Sequence, residues 1–401
     1  MYILVINSGS SSIKYQLFPF HSEEPLSKGL IERIGLPGSF LTHTFTRQGV
    51  EQTLRLDEPV ADHAAGMRQV AALLVRADIA VLQDPAQISC IGHRVVHGGE
   101  TLSRTTVITP GVKQKIKDLY PLAPLHNPGH IKGIEVTEAI FPGALQVAVF
   151  DTAFHQTLPE RAFRYAIPER FYKQEGVRVY GFHGISHEYV AGEALAYLGR
   201  PGARLVTIHL GNGCSMAAVQ GGTCIDTSMG MTPLDGLIMG TRSGTIDASV
   251  LIHLSERLGL TPAELSVLLN KESGMLGLTG HSDMRDVSRL YAAGDPAAVL
   301  AYEMYAYRIK KFIGAYAAAL NGLDAIVFTA GVGENDALTR ELVCRDMDVF
   351  GIAIDGNENT RRDAGIRNLS AAGARTPVLV IPTNEELAIA RKCRKLAEES
   401  A

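Results

Sequence analysis

The chain has 401 residues, 46% of them hydrophobic, which is more than one core usually serves and points to two domains. Its formal net charge is −4, with basic and acidic residues intermixed, so no basic stripe argues for nucleic acid or an anionic membrane surface, and a small soluble ligand is the expected partner. Five cysteines (Cys90, Cys214, Cys224, Cys344, Cys393) without a C-x-x-C pair read as reduced thiols; with no leader-like start and no apolar run of membrane-spanning length, the expected location is cytoplasmic.

In chain order, an apolar strand at 2–6 runs into Asn7-Ser8-Gly9-Ser10-Ser11-Ser12, then Lys14 and a second apolar run. That layout suits a phosphate chain. Gly9 permits a tight turn, the serine hydroxyls and backbone N–H groups donate, and Lys14 adds positive charge. A helix is expected at 62–80, strands at 88–95 and 145–150, the latter ending at Asp151, and a helix at 187–198. The strand 205–210 then enters Gly211-Asn212-Gly213-Cys214-Ser215 and leaves as a second strand at 214–219. Aligning Gly9 with Gly213 and Ser11 with Ser215 makes this a repeat of the opening layout half a chain later, as two related domains would carry. The stretch 227–247, rich in Gly and Met with Pro233 inside, has neither period and reads as a long functional loop. Helices follow at 247–258 and 296–320, strands at 324–329 and 376–381, and a last helix at 384–397.

The alternation of strands and helices is an α/β signature. The expected domains are 1–151 and 152–384, with 385–401 a C-terminal helix that packs back on the first. A third glycine loop, 329–335, follows the strand Ala325 to Phe328 and opens a helix. Alone it is a weak signal, because G-x-G at a strand end is common, and no G-x-x-x-x-G-K-[ST] run exists to make an ordinary P-loop. Two strand-turn-strand loops together with this glycine loop are far more specific.

The strings NSGSSSIK (7–14), GHRVVHGGE (92–100), PLAPLHNP (121–128), VFDTAFHQTLP (149–159), YGFHGISH (180–187), HLGNGCS (209–215), TSMGMTPLDGLIMGTRSG (227–244), FTAGVGEN (328–335) and PTNEE (382–386) resemble those of the acetate kinase family, in the family's order and over nearly the whole chain. The resemblance implies two ribonuclease H-like domains, each a ββαβ-type core with a mixed sheet, around an interdomain nucleotide cleft. It implies reversible transfer of the γ-phosphoryl of ATP to acetate, giving acetyl phosphate and ADP by direct in-line displacement. ATP or ADP is then co-substrate, Mg²⁺ (or Mn²⁺) the metal, and the protein a homodimer through its second domain.

The resemblance also implies roles. Arg94 and Arg242 match the two substrate-site arginines; a guanidinium fork suits a carboxylate or phosphoryl group. His183 matches the histidine that donates to the transferring group, and Asn7 with Glu385 the magnesium site. Asp151 matches a residue often called the acid/base. A carboxylic acid substrate is already ionised at neutral pH and needs no proton removed, so Asp151 is expected to position Mg²⁺-bound water or an arginine. Nucleotide contacts fall on Ser12, Lys14, His209, Leu210, Gly211, Asn212, Gly213, Asp283, Met284, Arg285, Gly331, Val332, Gly333, Glu334 and Asn335. The stretch Gly280-His281-Ser282 before Asp283 is one residue shorter than the family's usual one. Val96, Leu125, Phe182 and Pro233 take the acyl-pocket positions; family members that favour propionate tend to have alanine where this chain has Val96, which closes room for one methylene.

Three other readings compete. A short-chain acyl kinase acting on propionate would share every motif but differ at Val96. A superfamily ATPase without acyl kinase activity would not need two arginines and a histidine around a small apolar pocket. A zinc hydrolase is suggested by three H-x-x-x-H pairs, His93/His97, His126/His130 and His183/His187. A strand at 93–97 would separate its rings by about 13 Å, and Pro128 and Gly184 argue against helical pairs at the other two.

Overall fold

The computed structural model describes residues 1–399 except Ser10, Gln48, Ala80 and Leu125, so the expectations placed on Ser10 and Leu125 lie outside the described residues. The chain divides into two compact units, one of Met1–Ala153 with Asn384–Ala401, the other of Phe154–Thr383.

The first unit is built on eight strands: β1 (Tyr2–Ser8), β2 (Ser12–Pro19), β3 (Ser27–Glu32), β4 (Phe40–Arg47), β5 (Val50–Leu56), β6 (Ile88–Val95), β7 (Thr106–Val107) and β8 (Leu145–Phe150). They are ordered β5-β4-β3-β2-β1-β6-β8-β7, with β1, β6 and β8 parallel and β1 to β5 an antiparallel meander. The parallel strands are largely apolar because helices cover both faces. Gly92 lies against the C-terminal helix Glu385–Glu399, while the adjacent His93 reaches Thr137 on the helix Asn127–Ile140. Successive residues point to opposite faces, so those helices cover opposite sides of the sheet. Gly92 has to be glycine: a Cβ there would stand 2.6 Å from both Cys393 Sγ and Ile389 Cγ2.

The second unit carries six strands, β9 (Arg204–Leu210), β10 (Cys214–Gln220), β11 (Thr223–Thr227), β12 (Ala325–Thr329), β13 (Arg367–Asn368) and β14 (Val378–Val380), ordered β11-β10-β9-β12-β14-β13. An antiparallel trio β11-β10-β9 continues into parallel β12 and β14, which repeats β3-β2-β1-β6-β8. The duplicated α/β fold with two mixed sheets is therefore present in the topology itself. Gly184–Leu198 and Pro296–Ala319 are the principal helices packed on this sheet.

The expected repeat is right and its alignment is not. In the first hairpin Ser8 pairs with Ile13, and in the second Leu210 pairs with Cys214, so the strand ends equate Ser8 with Leu210. Gly9 thus corresponds to Gly211, not Gly213: each donates its N–H to the carbonyl of the last turn residue, Ser12 at 2.8 Å and Gly213 at 3.0 Å. The second turn is one residue shorter, which a match of glycines and serines by eye absorbs as a shift. Ser215 lies on β10 opposite His209, where Lys14 lies opposite Asn7. Among the described residues no helix is long and apolar enough to cross a membrane.

Candidate active site

In the first unit the functional side chains sit at the carboxyl ends of the parallel strands, where α/β sheets place ligands. Arg94 is next to last on β6, and Asp151 directly follows β8, its N–H bonded to the Val95 carbonyl at 3.0 Å. Arg94 Nη2 donates to Asp151 Oδ2 at 2.7 Å, and Nε to both carboxylate oxygens at 3.1 and 3.2 Å. Glu385, in the first turn of the C-terminal helix, stands 3.7 Å from Arg94 Nε. Burial pulls the Arg94 pKa down, but Asp151 and Glu385 outweigh it and the net shift is upward. Burial pushes the Asp151 carboxyl above its ordinary range, with Glu385 adding and Arg94 opposing. Asn7, near the end of β1, is paired in register with Lys14 on β2, whose ammonium meets Glu386 at 2.7 Å. Val96 is buried just beyond β6.

In the second unit three separated segments meet. His183 caps the helix Gly184–Leu198 in the left-handed region (φ 56), a strained backbone for a residue with a side chain, of the kind that clusters at functional sites. Its ring stacks on that of His209, centroids 4.2 Å apart, and its Nδ1 lies 2.9 Å from Ser215 Oγ. Arg242 comes from the loop between β11 and the helix Ala248–Leu258, which has no helix or strand, as expected, and folds on itself: Arg242 Nη1 donates to the Pro233 carbonyl at 2.8 Å. Burial lowers the Arg242 pKa, with Cys214 opposing. A Cβ at Gly213 would lie 3.5 Å from His183 Nε2 and 3.6 Å from Arg242 Nη2, so both donors border one point beside that glycine. Phe182 is buried, and its carbonyl accepts from His155 Nε2 at 2.9 Å.

Beside this point the second unit has a cavity of about 840 Å³. Gly211 and Asn212 of the turn after β9, Asp283 to Arg285, and Gly331, Val332 and Asn335 all line it. The shortened stretch before Asp283 does not remove that residue from the wall: Asp283 caps the helix Met284–Ala292 by accepting from Arg285 N, and it holds the Arg285 guanidinium at 3.0 Å. Other expected residues support the wall from behind. Gly333 and Leu210 are buried, and Ala330, at φ 65, is, like His183, a left-handed non-glycine. Arg340 Nη1 donates to the Gly333 carbonyl at 2.9 Å, Arg367 Nη2 to that of Glu334 at 2.6 Å, and the Glu334 carboxylate accepts from Thr383 N at 3.1 Å. Sequence reasoning missed Ser282, Ser288, Asp336 and Arg362, which also line the cavity. Asp336 has a legible signal, since it caps the helix Ala337–Cys344 right after the glycine loop.

Two of the three histidine pairs are helical, contrary to expectation. Asn127–Ile140 and Gly184–Leu198 are helices that begin directly after His126 and His183, so His126/His130 and His183/His187 do stand one turn apart. Pro128 is in a helix's first turn, where its missing N–H costs nothing, and Gly184 opens a helix instead of breaking one. The described residues contain no group of three His, Cys, Asp or Glu that could hold a metal ion.

The model of the acetokinase family matches residues 2–391. The chain is 52% identical over 398 residues to an acetate kinase of Flavobacterium johnsoniae, covering 99% of this chain and 100% of the relative. Among solved structures it is similar to acetate kinase of Porphyromonas gingivalis, at 44% identity and a TM-score of 0.91 over 99% of each chain. It is also similar to a propionate kinase from Francisella tularensis, at 42% identity and a TM-score of 0.90 over 98% of this chain and 99% of that one.

Proposed function

The chain belongs to the acetokinase family, and from that premise we propose that it is an ATP:acetate phosphotransferase, moving the γ-phosphoryl reversibly between ATP and acetate by direct in-line displacement. The observation that carries this reading is the convergence of His183 Nε2 and Arg242 Nη2 beside Gly213, at the end of the turn that also lines the large cavity. In-line transfer spreads negative charge over attacking, transferring and leaving oxygens at once, and fixed hydrogen-bond donors stabilise it. The cavity is read as the nucleotide site, with its phosphates directed to His183 and Arg242.

Arg94 is read as the acetate-side arginine. Acetate reaches the enzyme as an anion, so its oxygen attacks phosphorus without a general base. Asp151 then serves by fixing the guanidinium, and the three hydrogen bonds between the two side chains support that role over proton transfer. Lys14 is read as a phosphate-side cation resting on Glu386. An amide and a carboxylate, Asn7 and Glu385, both partly open to solvent, are the hard oxygen donors that Mg²⁺ takes, with waters and phosphates completing its shell. When bound, the ion would neutralise phosphate charge. The same reading takes the chain as a homodimer and places it in the cytoplasm, where the ATP pool is.

The acyl pocket is assigned to Val96, Phe182 and Pro233, together with Leu125. Discrimination by one methylene is worth about 1–3 kcal/mol, so propionate is expected to be a poor substrate and not an excluded one. Hydroxylamine trapping of the acyl phosphate, with ATP, Mg²⁺ and formate, acetate, propionate or butyrate, tests the reading. Acetate should give the highest kcat/KM, and Val96→Ala should raise propionate relative to acetate. ATP turnover at the same rate without any carboxylic acid would overturn the kinase assignment.

A further inference from the structure

Behind His183 lies a hydrogen-bonded row that the reaction as described does not use. Ser215 Oγ stands 2.9 Å from His183 Nδ1 and 2.8 Å from His187 Nε2, and His187 Nδ1 stands 2.7 Å from Thr207 Oγ1. His187, Ser215 and Thr207 are all completely buried, on the helix Gly184–Leu198, β10 and β9. Burial, reinforced by His155 and His209, holds the His187 pKa well below its usual value, so that ring is neutral, with one donor and one acceptor nitrogen.

Ser215 has one proton for two ring nitrogens, so the row runs in one direction or the other. Thr207 decides which. Its hydroxyl is 2.7 Å from His187 but 3.4 Å from the Ala217 carbonyl, outside the range of a good O–H donor bond, so its proton goes to His187 Nδ1. His187 then carries its hydrogen on Nε2 and donates to Ser215, and Ser215 donates to His183 Nδ1. We propose that Thr207, His187 and Ser215 form a one-way hydrogen-bond chain that fixes uncharged His183 with its proton on Nε2, the nitrogen beside Gly213 and Arg242. Ser215 and His187 are positioning residues for phosphoryl transfer, an inference that rests on the role given to His183 above.

The chain gives the anion a hydrogen-bond donor while asking for no proton from solvent. It also accounts for the left-handed backbone at His183, because a ring pinned through Nδ1 and stacked on His209 leaves its residue little freedom. In the sequence the only trace is the spacing of His183 and His187, which invites a metal reading instead.

Long-range ¹H–¹⁵N correlation spectra of histidine-labelled full-length protein test this, with the His183 signals identified by their loss in His183→Gln. The wild type should show His183 as the neutral Nε2–H tautomer, and Ser215→Ala should move it towards the averaged pattern of a free imidazole. In the same variant kcat should fall about 10–100-fold with KM for ATP little changed, and Ser215→Thr, which keeps the hydroxyl, should recover most of the loss. A wild-type ring protonated on Nδ1, or a Ser215→Ala kcat within about twofold of wild type, would overturn the proposal. Should Ser215→Ala fail to fold, the wild-type spectrum decides alone. If the wild type forms no acyl phosphate, the proposed function falls, while the spectrum still reports on the chain.

Discussion

Asp151 and Arg94 share hydrogen bonds from two nitrogens to two oxygens, and only arginine can supply that fork. The pair is nearly dry, with side-chain exposures of 2% for Asp151 and 19% for Arg94, so losing either partner strands a charge in low dielectric. Arg94→Ala should therefore lower kcat by about 100-fold or more, and Asp151→Asn should lower it comparably because an amide no longer anchors the guanidinium. If Asp151 acts through Arg94, the double variant should be scarcely worse than either single one, and the pH profile of Asp151→Asn should keep its shape. A bell-shaped profile lost in that variant would instead mark Asp151 as a proton carrier. At this scale the sequence singles out a candidate wherever a short string brackets a residue type that the chemistry requires, as it does for Arg94, Asp151, His183 and Arg242. Ser215 and His187 fall inside motif strings and Thr207 in an apolar strand, but only the packing of a helix on two strands makes them a row.

The strands that the sequence announces are those sealed on both faces. β1, β6, β8, β9 and β12 are predominantly apolar because helices cover them, and each lies close to the bounds its apolar run predicts. The meander β3 to β5 carries no such mark: β5 is largely exposed and polar, and it is held by hairpin pairing with β4, not by an apolar face. Strand burial also has an electrostatic consequence. His93 on β6 points into the sheet's interior, bonded through Nε2 to Gln146 at 2.8 Å, and burial lowers its pKa to about 4, with Gln146 and Glu138 opposing. The unfolded chain binds that proton near the ordinary value of about 6.5, so between about pH 6.5 and about pH 4 the unfolded state holds more protons. The stabilisation from keeping His93 neutral is thus complete above that window and is lost as pH falls through it. Unfolding free energies followed from about pH 7.5 to about pH 5 should decline on acidification, and His93→Gln should flatten the decline by about 1.4 kcal/mol per pH unit, one proton's worth. An unchanged slope would mean that His93 is already charged in the folded protein.

The whole chain is a topology used twice, and the residues proposed for its site divide between the copies. The first unit holds Asn7, Lys14, Arg94, Asp151 and Glu385, all charged or amide groups suited to phosphate, metal and carboxylate. The second holds the cavity and the turn at 211–213. If the cavity takes the nucleoside, a nucleotide lacking the outer phosphates should engage the second unit alone, whereas the full triphosphate should also involve the hairpin segment 7–14 that ends at Lys14. Hydrogen exchange followed by mass spectrometry separates these cases. AMP should slow exchange at 282–288 and 330–336 and leave 7–14 unchanged; ATP with Mg²⁺ should protect all three segments. The sequence alone supports the same division only loosely, since its glycine loops look alike and their register was misread by two residues, from Gly211 to Gly213. Protection of 7–14 by AMP, or none at 282–288 with either nucleotide, would place the nucleoside elsewhere and leave the cavity without its assigned ligand. Because exchange is read without turnover, this outcome stands apart from any defect in the chemistry at Arg94 or His183.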